Sequence, residues 1–214
     1  MNDGGRVPRR PLVLACGALA GDLRAVLAAS GFDGHVDVEY LPANLHNRPE
    51  LIAPTLQPRL RAAFGDARPV FVAYADCGTG GALDSLLAEF PGVQRLPGAH
   101  CYEVFAGSDR FEALQHEELG TFYLTDFLAR HFDALVWNGL GLDRYPALRD
   151  TYFGNYRRVV LLSQSADPDV VTRARAAATR LGLAFVHEPT GRDRLRVPVV
   201  AFVERQHAPH AAAR

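Results

Sequence analysis

The chain has 214 residues, 48% of them hydrophobic, with 23 lysines and arginines against 24 acids and a formal charge of −1. That length and apolar content can bury one substantial core, as one large α/β domain or two small ones, and one domain is the expectation. The even charge balance, without any long cationic block, argues against a phosphate-backbone binder, so no nucleic-acid partner is expected.

The opening "MNDGGRVPRRP" is polar and rich in glycine and proline, and residues 1–10 are expected to be disordered. The apolar run behind it has five residues, too short for a signal-peptide core or a membrane span. A cytoplasmic location without membrane partners follows. In a reducing compartment, three cysteines, an odd number, do not make a disulfide framework. They are free thiols.

"LVLAC" predicts a first strand over residues 12–16, and "ALAGDLRAVLAAS" a helix, because Leu19, Leu23, Val26 and Leu27 recur at helical spacing. "HVDVEYL", residues 35–41, alternates with period two as a second strand. After a loop, a helix is entered at Pro49, with Pro54 and Pro58 set to kink or shorten it. "RPVFVAYAD" is a third strand, "GGALDSLLAEF" the next helix, and residues 93–96 a short fourth strand.

From there the pattern is helical through "DRFEALQHEEL", "GTFYLTDFLARHFDAL" and "YPALRDTYFGNY". Phe122, Leu124, Phe127 and Leu128 read as a core stripe, with Thr125 or Asp126 as a cap. Residues 157–164 return to a strand, Asp167 caps a helix that Gly182 ends, and "LAFVHEP" is another strand. "RLRVPVVAFVE" is expected as an edge strand, since Pro198 cannot donate to a ladder. Residues 205–214 read as a flexible tail behind a single domain over residues 11–204. The order predicts an α/β fold: an open, mainly parallel sheet with helices on both faces and extra helices in the second half.

In such sheets ligands sit beyond the carboxyl ends of the strands. Cys16, Cys77 and Cys101 all fall there, as do His46, His100 and Gln164, so the thiols are expected to meet. Three thiolates with a histidine in reserve make a first shell for zinc, and soft donors also suit copper(I), iron or an iron–sulfur centre. No CxxC pair is present, so topology rather than spacing carries the expectation. Asp76 either orients a histidine or acts as a general base, or else caps a helix. His46, between Asn44 and Asn47, is the second catalytic candidate. Gly78, Gly80 and Gly81 offer close backbone approach and amides to a cofactor phosphate or another anion. His100 and its neighbour Cys101 cannot both face the site if the segment is extended. No dinucleotide fingerprint, P-loop or GxSxG is present.

"LACGAL", "LPANLHNRPE", "ADCGTGG", "PGAHCYEVFAGSDRF" and "GTFYLTDFL" together resemble the uncharacterised family called domain of unknown function 1638, over about residues 12–191. The resemblance implies metal ligands at Cys16, Cys77, Cys101, His46 and His100, although many relatives read His-Asp-Cys where this chain has His100 directly before Cys101. It also implies a place in one-carbon metabolism, with methyl transfer or demethylation beside corrinoid-dependent methyltransferase components as partners and a small-molecule substrate. The corrinoid-binding signature is absent, so any corrinoid belongs to a partner. A metal-dependent methyltransferase is one expectation. A non-enzymatic carrier or chaperone of metal, heme or corrinoid is the alternative.

Overall fold

The computed structural model describes residues 9–207. Most of the expected disordered start, and the tail from residue 208, lie outside them. In chain order the elements are β1 (Leu12–Cys16), α1 (Ala20–Ala29), β2 (Asp37–Leu41), α2 (Ile52–Gly65), β3 (Val70–Ala73), α3 (Ala82–Leu87), β4 (Gln94–Arg95), α4 (Cys101–Ala106) and α5 (Ser108–Glu117). There follow β5 (Thr121–Thr125), α6 (Asp126–Arg130), α7 (Leu148–Phe153), β6 (Arg158–Ser163), α8 (Pro168–Leu181), β7 (Ala184–Pro189) and α9 (Asp193–His207).

The α/β class and the parallel pairing hold, but the strands form two sheets rather than one. The first has the order β2-β1-β3-β4 and the second β5-β6-β7, all parallel. β1 and β3 are buried along their whole length, which is why both read as unbroken apolar runs. In the second sheet β6 divides its side chains with period two: Val159 and Leu161 join the core under α8, while Val160 and Leu162 join Ala106, Leu114 and Tyr123 beside α4 and α5.

Two helices tie the halves together. α4 contributes Val104 and Phe105 to the first core and Ala106 to the second. α9 leaves β7 and returns to pack on α1, α4 and β3. This segment was expected as an edge strand. Leu195, Val199, Phe202 and Val203 are its buried residues, and their spacing of four, three and one is that of a helix face, which outweighs both the β-branched composition and the internal Pro198. The helix runs to His207, so residues 205–207 belong to the fold rather than to a flexible tail.

"GTFYLTDFL" likewise differs from its helical expectation. Residues Thr121–Thr125 pair in register with Arg158 to Leu162 as β5, and the helix starts only at Asp126, where the Thr125 hydroxyl accepts the amide of Leu128. Aromatic and β-branched residues favour the pleated surface once a partner strand exists.

Candidate functional site

The first sheet reverses direction between β1 and β3: the chain steps from β1 outward to β2 and then returns to the other side of β1. Such a switch point leaves a crevice beyond the strand ends, because the two crossovers part there. Cys16 closes β1 at one lip of this crevice, and Cys77 follows β3 at the other. Cys101, the first residue of α4, comes in behind the end of β4.

Cys16 is buried, and its sulfur caps the short turn after β1 by accepting the amide of Ala18 at 3.4 Å. Nδ1 of His46, carried on the 3-10 turn Ala43–Asn47, lies 3.5 Å from that sulfur and 3.2 Å from the carbonyl oxygen of Ala43. A carbonyl only accepts, so Nδ1 holds the proton, and Nε2 is left with a lone pair and no protein partner among the described residues. Desolvation holds the His46 pKa below its ordinary value.

Cys77 takes a left-handed backbone, φ +52°, with its amide donating to Ala99 at 2.7 Å. A non-glycine residue in that region marks local strain, of a kind that clusters at functional sites. Burial raises the Cys77 thiol to about 12, and the charge of Cys16 adds to the rise. The Cys101 thiol is also pushed up by burial, then by Cys77 and Cys16. For Cys16 burial dominates in the same direction. Cys77 thus feels Cys16, and Cys101 feels both, across the crevice. Tyr74, also buried, lies near Cys16 and Cys77, with its hydroxyl directed at the Cys16 thiol.

Among the described residues, no three histidine, cysteine, aspartate or glutamate side chains are placed so that they could already hold a metal ion. His100 packs its ring against Phe111 and Tyr102, with centroids 4.7 and 5.5 Å away, and its Nδ1 is buried without a partner.

Asp76 organises the glycine turn. Its carboxylate accepts from the Thr79 hydroxyl at 2.5 Å and from the amides of Gly80 and Gly81 at 3.1 and 3.0 Å. The Thr79 bond is the largest cause holding its pKa below the usual carboxylate value. The Gly80 and Gly81 amides, expected to serve a cofactor anion, are therefore engaged by Asp76. Gly78, at φ +83°, sits where an added Cβ would lie 3.5 Å from the ring of Pro49, so it seats the β3 loop against the β2 loop.

Cys101 borders an apolar cleft of about 270 Å³ between the two halves of the molecule. Ala18, Asn44, His46 and Cys101 line it from the first half, and Phe122, Phe127, Leu128 and Val136 from the second. Val136 belongs to a π-helical turn, Asp133–Trp137, a rare distortion that is frequent at functional sites. The second-half wall and Tyr74 were not among the sequence candidates. The aromatic run Phe122 to Leu128 was the available signal, and it read as core.

Gly17 fixes the distance between Cys16 and the His46 turn. A Cβ there would come 2.8 Å from the Leu41 carbonyl oxygen and 3.3 Å from the Ala43 amide nitrogen, both backbone atoms that cannot rotate away. Gly17→Ala is expected to cost about 1–3 kcal/mol in denaturant unfolding. An unchanged unfolding midpoint would show that the turn is not held at this point.

Cleft, switch point and thiols together mark a two-sheet α/β protein with an apolar cleft between its halves. The chain belongs to the family described as "Protein of unknown function (DUF1638)", whose model matches residues 40–197. His46, Cys77 and Cys101 lie within the match, and Cys16 precedes it. No curated protein matches the chain. Among the described residues, no helix is long and apolar enough to cross a membrane.

Proposed function

We propose that this protein binds one soft metal ion, zinc by preference, through Cys16, Cys77 and Cys101, and acts in one-carbon metabolism as a methyl-transfer or demethylation enzyme working with a corrinoid-carrying partner. The observation that supports this most is the gathering of three thiols from beyond three separate strands at the switch point, with Cys16 opposing ionisation of Cys77, and both opposing that of Cys101. Thiols that repel one another as anions are satisfied together by a soft cation. The donor chemistry fits zinc, and metal capture requires the sulfurs to turn toward a common point. When bound, zinc would act as a Lewis acid that lowers the pKa of a thiol substrate or polarises a methyl acceptor.

The chain's own residues supply the rest. His46 Nε2 takes or returns a proton at the group seated in the cleft. Phe122, Phe127, Leu128 and Val136 exclude water from it, which strengthens every charge interaction inside. A volume of about 270 Å³ lies just below the roughly 300–1,000 Å³ range of ligand pockets. It suits a small substrate better than a macrocycle, which favours the enzyme over a carrier of heme or corrinoid.

In a zinc titration of reduced, untagged protein, one equivalent should protect all three thiols from a chromogenic disulfide. Thiols that stay fully reactive at saturating zinc would overturn the metal site.

A further inference from the structure

We infer that a polar chamber adjoining the cleft seats the anionic end of the ligand, so that the molecule bound here has an apolar body and a carboxylate or phosphate terminus. This names the substrate class of the site proposed above, and it depends on that proposal only for what happens at the thiols.

The chamber has a volume of about 430 Å³ and lies between Gly21, Asp22 and Arg24 of the first half and Asp126 and Arg130 of the second, with Arg192, just before α9, completing its wall. It adjoins the apolar cleft, since Ala18 and Phe127 line both. An elongated molecule would reach from one to the other past these two side chains. Gly21 keeps the first-half wall open, since an added Cβ would meet nothing within 4 Å.

The charges around the chamber decide what it takes. Both acids are already engaged: Asp126 accepts the Gln164 amide at 3.0 Å and the Ser165 hydroxyl, and Asp22 accepts Nε of Arg192 at 2.7 Å. Arg130 gives one terminal nitrogen to Asp167 at 2.9 Å. The remaining donors are unused. Arg24 bonds only through Nε, to the Ala20 carbonyl at 3.2 Å, and among the described residues neither its terminal nitrogens nor those of Arg192 have a hydrogen-bond partner. Arg130 is paired with Asp167 and Arg192 with Asp22, so charge is balanced and it is the terminal nitrogens of Arg24 and Arg192 that lack partners among the described residues. A planar guanidinium edge matches a carboxylate or phosphate through paired N–H bonds. A cationic ligand would meet acids already satisfied.

Scattered arginines on an open surface would be solvated and carry no such meaning. Here Arg24 and Arg130 stand at the exposed rim of a cavity between two halves, and the Asp22–Arg192 pair that fixes the third joins segments 170 residues apart, with the Asp22 side chain only 8% exposed.

Calorimetric titration of the reduced full chain, with and without one equivalent of zinc, tests this. The ligands are straight-chain carboxylates from acetate to octanoate, alkyl phosphates of the same lengths, inorganic phosphate, and alkanols as neutral controls. Affinity should rise about fourfold per added methylene until the cleft is filled. The better anionic series should bind about tenfold or more tightly than alkanols of equal length, and which series that is identifies the terminus. Arg24→Gln, at an exposed position, should remove most of that preference and leave alkanol binding unchanged. Arg24→Gln with Arg192→Gln should remove the rest, with a thermal melt reporting whether the fold survives. Alkanols that bind as tightly as both anionic series, or a preference that survives in folded Arg24→Gln, would overturn the inference. If anions bind while zinc fails to protect the thiols, the metal proposal falls alone. If zinc protects and no anion preference appears, this one falls alone.

Discussion

Cys16→Ser is expected to lower zinc affinity by more than about a hundredfold, beyond the loss usual for a residue that only supports a ligand, while leaving the metal-free protein as stable as the parent. The two effects separate because of where Cys16 stands. Its sulfur caps the turn Gly17–Leu19 by accepting the Ala18 amide. Serine is a better cap than cysteine at such a position, so the hydroxyl keeps the local hydrogen bond. It does not replace a thiolate toward a soft cation. Elemental analysis and competition with a zinc chelator give the affinity, and denaturant unfolding gives the stability. Cys77→Ser and Cys101→Ser should lose zinc in the same way, and His187→Ala should not. His187 lies in β7, where its Nε2 is 2.8 Å from the Ser163 hydroxyl. Full zinc occupancy in the three serine variants would mean that the ligand assignment is wrong. Lost stability in metal-free Cys16→Ser would assign that cysteine to packing.

Local chemistry was legible wherever one residue type decides one position. Asp167 accepts the amide of Asp169 and Gly182 takes φ +74°, so α8 starts and stops where its sequence predicts. Thr125 caps α6 as one of two candidates. β5 was not legible, because Phe122, Leu124, Phe127 and Leu128 satisfy a helical stripe on their own, and only pairing with β6 makes the first two strand residues. α9 was misread for the converse reason: Val197, Val199 and Val200 suggest a strand, while its four buried side chains define a helix face that packs back on the first half.

The site divides along the same line. Strand ends in a parallel sheet are predictable from the order of elements, and that order placed Cys16, Cys77, Cys101 and His46 at one edge. The opposite wall belongs to a second sheet that a single-sheet expectation did not contain. Phe127, Leu128 and Val136 face the first half only because α4 and α9 bind the two sheets together. Asp76 shows how far residue type alone reaches. An acid before glycines serves equally as a base or as the organiser of a turn, and the Thr79, Gly80 and Gly81 bonds place it in the turn.

His46→Ala is expected to reduce methyl transfer by about 10²–10⁴-fold, the usual worth of a positioned acid–base group, while most of the zinc stays bound. The ring's hydrogen bonds are the ground for this. With Nδ1 donating to the Ala43 carbonyl and close to Cys16, the free lone pair is on Nε2, and His46 is one of the residues lining the cleft. Nδ1, the nitrogen nearer the thiols, is thus protonated and is not a ligand in this arrangement. The turn that carries His46 is flanked by Pro42 and Pro49 and held at its base by the contact of Gly17 with Leu41 and Ala43, so the ring is positioned without being locked by a second side-chain bond. An assay with the corrinoid partner present measures the rate, and elemental analysis of the same sample measures the zinc. Zinc lost together with activity would make His46 a ligand of a closed site, and unchanged activity would remove it from the chemistry.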